Sequence, residues 1–156
     1  RVKSAYGFEK KQEANTEGSR LARQTNLAGY VQSRLDTDND FSISNFQSWR
    51  LSFFFNRTVT NPEVQAMDAV DRLPFVGRVE EFDQSMKHFS DLIRTKFPDF
   101  AEFSIKTNVS NTSKLSHDEQ LDSIREEIGD ELYDRLLEAN QADLALVDYV
   151  RAKHFS

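Results

Sequence analysis

Arg1 stands three residues before Ser4, and Phe8 follows after four more. On a helix that spacing places all three on adjacent turns of one face. A guanidinium and a hydroxyl beside the free N–H groups of a helix start suit a phosphate, because dipole and donors all point at the anion. The same residues also read as an ordinary amphipathic helix with Arg1 in solvent. A second donor-rich stretch is Lys106-Thr107-Asn108, at the head of the polar loop ending at Lys114. Asp36-Thr37-Asp38-Asn39-Asp40 imitates the start of a calcium loop. Phe41 then stands where the sharp turn needs Gly, and Gln47 where a bidentate Glu should close the site, so a polar loop is the better reading. His88, His117 and His154 fall at helix or cap positions beside no motif, and none is assigned as a general base.

A single ordinary domain with a core accommodates 156 residues. The net charge of −6 excludes a global field favouring nucleic acid or an anionic membrane, so an anionic ligand needs a local cluster of donors. With no cysteine, the chain has no disulfide, thiolate metal site or cysteine nucleophile. The thirteen phenylalanines predict a core built on aromatics. The longest apolar run, Leu51 to Phe55, is too short to span a membrane. A start on Arg1 without an initiating Met reads as a processed or excised piece.

The elements that must position these residues follow from periodicity. Residues 2–14 read as a helix, 15–19 as a turn and 20–35 as a second helix carrying Leu21, Leu27, Ala28, Val31 and Leu35. Ser44-Asn45-Phe46-Gln47 caps a third, running through Trp49, Leu51, Phe54 and Phe55, with Asn45, Gln47 and Arg50 as polar exceptions able to face a cleft. Asn61-Pro62-Glu63 starts a fourth. Leu73 to Glu80 reads as a buried strand. A helix from Glu81 to Phe97 presents Phe82, Met86, Phe89, Leu92, Ile93 and Phe97 on its apolar face, and Pro98 stops it. Phe103-Ser104-Ile105 reads as a short second strand. Ser116-His117-Asp118-Glu119 is a capping box. The helix it opens is interrupted at Gly129, and a last helix runs to about His154 with Leu132, Leu136, Leu137, Leu144, Val147 and Val150 inward. Helices with one or two orphan strands predict the back half of an α/β domain whose sheet is completed by residues outside this chain.

In order, these pieces resemble the sulfotransferases that use 3′-phosphoadenosine 5′-phosphosulfate (PAPS). Arg1-Val2-Lys3-Ser4-Ala5-Tyr6 resembles the second half of their 3′-phosphate motif, Arg-Asp-Pro, two variable residues, then Arg-Val-x-Ser-x-Tyr. Asn45 to Leu51 resembles the Asn-x-Gln-x-x-x-Leu helix of the carbohydrate sulfotransferases. Phe75 to Met86 is similar to their strand–helix signature Val-Gly-x-x-Glu-x-Phe-x-x-Ser-Leu. The loop around Asn108-Val109-Ser110, followed by a capped helix, also matches, and Leu137 to Tyr149 looks like their closing Asn-x-x-Asp-x-x-Leu-Tyr segment. Val147 stands where Tyr is usual, a change in packing rather than chemistry. The resemblance covers nearly the whole chain and is nearest to the heparan sulfate 2-O- and 6-O-sulfotransferases and their bacterial counterparts.

The resemblance implies one domain portion over residues 1–156: the C-terminal, mainly helical part of a P-loop-like α/β sulfotransferase fold with one or two short strands. It implies sulfuryl transfer from PAPS to a hydroxyl acceptor, a carbohydrate by preference, without a metal. Ser4 and Arg1 would hold the nucleotide 3′-phosphate, and Lys106, Thr107 and Asn108 would close over the nucleotide. The phosphosulfate loop, the first arginine of the motif and the catalytic base would lie in a missing N-terminal half, so this chain alone would not turn over. The alternatives are a non-catalytic helical interaction module and a calcium-responsive domain on Asp36 to Asp40. Sequons at Asn56, Asn108 and Asn111 suit a Golgi lumen, whereas the lack of cysteine favours a bacterial cytoplasm. Residues 15–45 look like a variable insertion forming a wall of the acceptor cleft.

Overall fold

The structure, a computed structural model, describes residues 1–100 and 116–154. Among the described residues the chain is built from helices, in the order α1 (Val2–Lys11), α2 (Glu17–Gln24), α3 (Leu27–Leu35), α4 (Phe46–Ser52), α5 (Pro62–Arg72), α6 (Phe82–Arg94), α7 (His117–Ile128), α8 (Asp130–Glu138) and α9 (Gln141–His154). No strand or sheet occurs among them, which overturns the expected α/β, P-loop-like fold.

The segment expected to be a buried strand shows why. Leu73 to Glu80 joins α5 to α6 as irregular backbone. The backbone of Arg78 is met locally: its N–H donates to Ser85 Oγ at 2.9 Å, and Ser85 Oγ donates back to its carbonyl at 3.2 Å. Phe75 packs on Phe89 of α6, with ring centroids 5.3 Å apart. An apolar run with Pro and Gly matches a buried strand in composition, but here none of its residues is buried, Val79 is 85% exposed, and at Arg78 a side chain takes the place of a neighbouring strand as hydrogen-bond partner. The other expected strand, residues 103–105, lies outside the described residues.

Local chemistry moves several other boundaries. The expected helix 20–35 divides in two. Thr25 Oγ1 donates to the Leu21 carbonyl, and Asn26 Oδ1 accepts from the Gly29 N–H as the cap of α3. The presumed turn at 15–19 instead contains a capping box in which Thr16 and Ser19 exchange bonds at the start of α2. The caps expected at Asn61 and at Ser116 with Glu119 are present. The third helix stops at Ser52, leaving Phe53, Phe54 and Phe55 exposed beyond it. Gly129, at φ 85°, turns α7 into α8, and the expected last helix breaks again before Gln141.

Two cores result. The first gathers Val2, Ala22, Leu27, Tyr30, Val31, Ile43, Ile124, Ile128, Leu132 and Leu136 from α1, α2, α3, α7, α8 and the turn before α4. The second joins Ala66 and Val70 of α5 to Leu146 and Val150 of α9, with Leu51 and Val76 against them. The aromatic core foreseen from composition does not form among the described residues: no phenylalanine there is buried, and Phe8, Phe53, Phe54, Phe55, Phe82 and Phe97 are exposed, as are the aliphatic Leu92, Leu144 and Val147. The residues buried on α6 are Ser85 and Ser90.

Candidate anion-binding site

α1 presents Arg1, Ser4, Phe8 and Glu9 to a cavity of about 390 Å³ that Tyr30 of α3 and Ser42 complete. The predicted pair, Arg1 and Ser4, therefore shares one cavity. The Arg1 guanidinium lies 3.5 Å above the ring of Phe46, and its Nη2 donates to the Ser42 carbonyl at 3.3 Å. Arg1 makes no ion pair among the described residues. Its partial burial lowers its pKa, opposed by Asp143 and Tyr30, but a guanidinium still carries its charge at any ordinary pH. The Ser4 hydroxyl is exposed and makes no hydrogen bond to the described residues.

Behind the cavity, Arg34 is spent on carboxylates. Its Nη1 meets Asp40 Oδ2 at 2.8 Å, with side chains 15% and 9% exposed, and its Nη2 lies 3.9 Å from Glu9. Burial pushes the Asp40 carboxyl up, but hydrogen bonding to Ser42 and Arg34 outweighs it and holds the group below its usual range. Tyr30 is fully buried, and burial raises its pKa against the opposing Arg34 charge, so it stands in the cavity wall as a neutral phenol. Its hydroxyl lies near the Arg34 guanidinium without closing a well-formed hydrogen bond. Gly18 makes this packing possible, because a Cβ there would come within 2.2 Å of Arg34 Nη2.

The helix that carries Phe46, the ring beneath Arg1, is fixed by a reciprocal cap. Asp143 accepts from the Gln47 N–H at 3.0 Å and from the Ser48 N–H and hydroxyl at 2.7 and 2.8 Å, and so caps α4. Asn45 Oδ1 accepts from the Asp143 N–H at 3.2 Å, and Asn140 Oδ1 accepts from the Asn45 N–H at 3.0 Å. Asn140 Nδ2 donates to the Ile43 carbonyl. Phe46, the first residue of α4, is thereby held beneath Arg1.

The chain is 37% identical over 153 residues to an uncharacterized protein of Archaeoglobus fulgidus. The match covers 96% of this chain and 60% of that relative, so the chain spans about three-fifths of the relative's length. No protein-family model and no solved structure matches the chain.

Of the predicted site residues, Arg1 and Ser4 are brought together, whereas Lys106, Thr107 and Asn108 lie outside the described residues. Asn45 is consumed in capping, Gln47 is exposed, and Arg50 lies 5.9 Å over Trp49 rather than at this cavity. Sequence reasoning missed Tyr30, Arg34 and Ser42. Tyr30 and Arg34 are spaced to share a face of α3, and that pairing was the available signal. Asp36 and Asp40 of the calcium-like stretch answer to different partners, Arg135 with Gln32 and Arg34 with Ser42 respectively. No group of carboxylates and histidines able to hold a metal occurs among the described residues. No helix there is long and apolar enough to cross a membrane.

Proposed function

We propose that this chain is the nucleotide-binding, C-terminal part of a PAPS-dependent sulfotransferase, with Arg1 and Ser4 holding the 3′-phosphate. One observation carries the reading: the two residues assigned to that phosphate by resemblance line one cavity, where Arg1 is a cation without a carboxylate ion pair. The fit is chemical. A guanidinium supplies two parallel donors to phosphate oxygens, and the Ser4 hydroxyl supplies another. Tyr30 adds a neutral wall, and the one carboxylate lining the cavity among the described residues, Glu9, lies 3.9 Å from Arg34 Nη2, whose charge opposes its own.

The donor supplies the sulfuryl group that passes to an acceptor hydroxyl, a carbohydrate in this reading. This chain's residues bind and orient. Arg1, seated on Phe46, fixes the nucleotide end remote from sulfur, and binding energy gained there holds the reacting end in line. His88 is exposed on α6 and does not line the cavity, so it is not assigned as the acceptor base. A bacterial cytoplasm is the favoured compartment, with the Golgi lumen as the alternative.

Phosphorus NMR tests this directly. Titrating the protein into adenosine 3′,5′-bisphosphate should shift the 3′-phosphate resonance more than the 5′ one. A larger 5′ shift, or none, contradicts the assignment. A second reading, a non-catalytic helical interaction module, is favoured by Phe53, Phe54 and Phe55, which are 45, 60 and 40% exposed. That reading predicts no response from either phosphate.

A further inference from the structure

Across Ser42 from the anion cavity lies a second cleft of about 430 Å³, a size suited to a small ligand. Its wall is aromatic. The rings of Phe41 and Trp49 stack 5.3 Å apart and 7° from parallel, and Phe53 meets Trp49 edge-on at 5.2 Å, fixing the indole. Phe46 lines the same cleft and is held by Arg1.

The rim is polar and partly unspent. Asp36 and Asp40 are engaged with arginines, but Asp38 and Asn39, both exposed at the cleft, make no side-chain hydrogen bond or ion pair with the described residues. A carboxylate is acceptor-only, and a carboxamide both donates and accepts. Phe41 and Trp49 each cover one face of the other and Arg1 covers one face of Phe46, so a ligand can stack only on the opposite faces; such faces beside free acceptors suit a ring with apolar C–H faces and a hydroxyl edge. The unpaired Asp38 charge works against an anionic ring, since like charges brought together cost affinity and select partners.

We propose that the Phe41–Trp49 cleft binds an uncharged, hydroxyl-rich sugar ring, stacked on the aromatic wall with its hydroxyls donating to Asp38 and Asn39. Naming this ring as the acceptor rests on the sulfotransferase reading; its binding does not. The cleft thus selects neutral sugars over sulfated or uronate-bearing ones.

Trp49 is the one tryptophan of the chain, so intrinsic fluorescence reports on this cleft. The intact protein is titrated with neutral tetrasaccharides of glucose, mannose, galactose and N-acetylglucosamine, and in parallel with heparin and with adenosine. A saturable change in Trp49 emission with a neutral tetrasaccharide, exceeding that with heparin or adenosine, is expected. Asp38→Ala should weaken it about tenfold, the loss of one hydrogen bond to a charged group. Circular dichroism should be unchanged, because Asp38 is exposed. No response to any neutral sugar, a stronger response to heparin or adenosine, or an unaltered affinity in Asp38→Ala overturns the proposal. Adenosine 3′,5′-bisphosphate binding, followed separately by phosphorus NMR, shows whether the nucleotide reading stands or falls on its own.

Discussion

Asn45 and Asp143 cap each other's helices. The Asn45 side chain receives the N–H of Asp143 in the first turn of α9, and the Asp143 carboxylate receives two N–H groups in the first turn of α4. Two helix N-termini, each a concentration of partial positive charge and unmet donors, are thus turned toward one another and satisfied by one amide and one carboxylate. Asp143→Ala should cost about 1–2 kcal/mol in urea denaturation. Combined with Asn45→Ala, it should show coupling above about 0.5 kcal/mol, because both caps hold the same helix pair. Additive losses would mean that the two caps act separately.

The Arg34–Asp40 pair predicts how acid acts. The Asp40 carboxyl is held below its usual value of 3.8, so between its folded pKa and 3.8 the unfolded chain binds more protons than the native one. Its stabilisation is complete above that usual value and is lost as pH falls through the folded one. Asp36 is depressed in the same direction by Arg135 and Gln32, and Glu119 by its capping bonds to Ser116. Asp40→Asn should lower stability at pH 7 by about 2 kcal/mol, between the surface-pair and buried-pair limits. It should also flatten the fall in stability measured by denaturant titration from pH 5 to pH 2. A variant with the wild-type slope would show that Asp40 does not contribute to it.

The junction of α5 and α6 is close-packed at Gly77. A Cβ there would stand 3.0 Å from the Phe75 ring and 3.0 Å from Ser85 Cβ. Gly77→Ala should therefore destabilise by about 1–2 kcal/mol through overpacking. Ser85→Ala should cost a similar amount, about 1–2 kcal/mol, by leaving the Arg78 N–H without its partner. Denaturation midpoints unchanged in both variants would refute this account of why the segment needs no sheet.

Helix starts were the most legible part of the sequence, because a cap is local chemistry. Asn61 before Pro62, and Ser116 three residues before Glu119, name their own helices. The segment around Val76 reads as a buried strand because its composition is apolar, yet none of its residues is buried and Val79 is 85% exposed, while Ser85 meets the backbone of Arg78 alone. The apolar faces of α6 and α9 carry helical periodicity, yet periodicity cannot show that Phe82 and Leu144 remain exposed. At the site, Arg1 and Ser4 were visible because they share a helix face. Their companions Tyr30 and Ser42 are 26 and 38 positions beyond Ser4 and meet it only through the fold. The Asn45–Asp143 exchange was hidden for the same reason, although both residues stood in stretches singled out for their resemblance to one family.

The central claim is that Arg1 and Ser4 hold a nucleotide 3′-phosphate. Calorimetric titration of adenosine 3′,5′-bisphosphate, set against adenosine 5′-monophosphate, measures it most directly. The account predicts tighter binding of the bisphosphate, weakened about tenfold in Ser4→Ala and more in Arg1→Ala, as expected for hydrogen bonds to a charged group. Equal affinity for the two nucleotides, or a bisphosphate Kd unchanged in both variants, would contradict it.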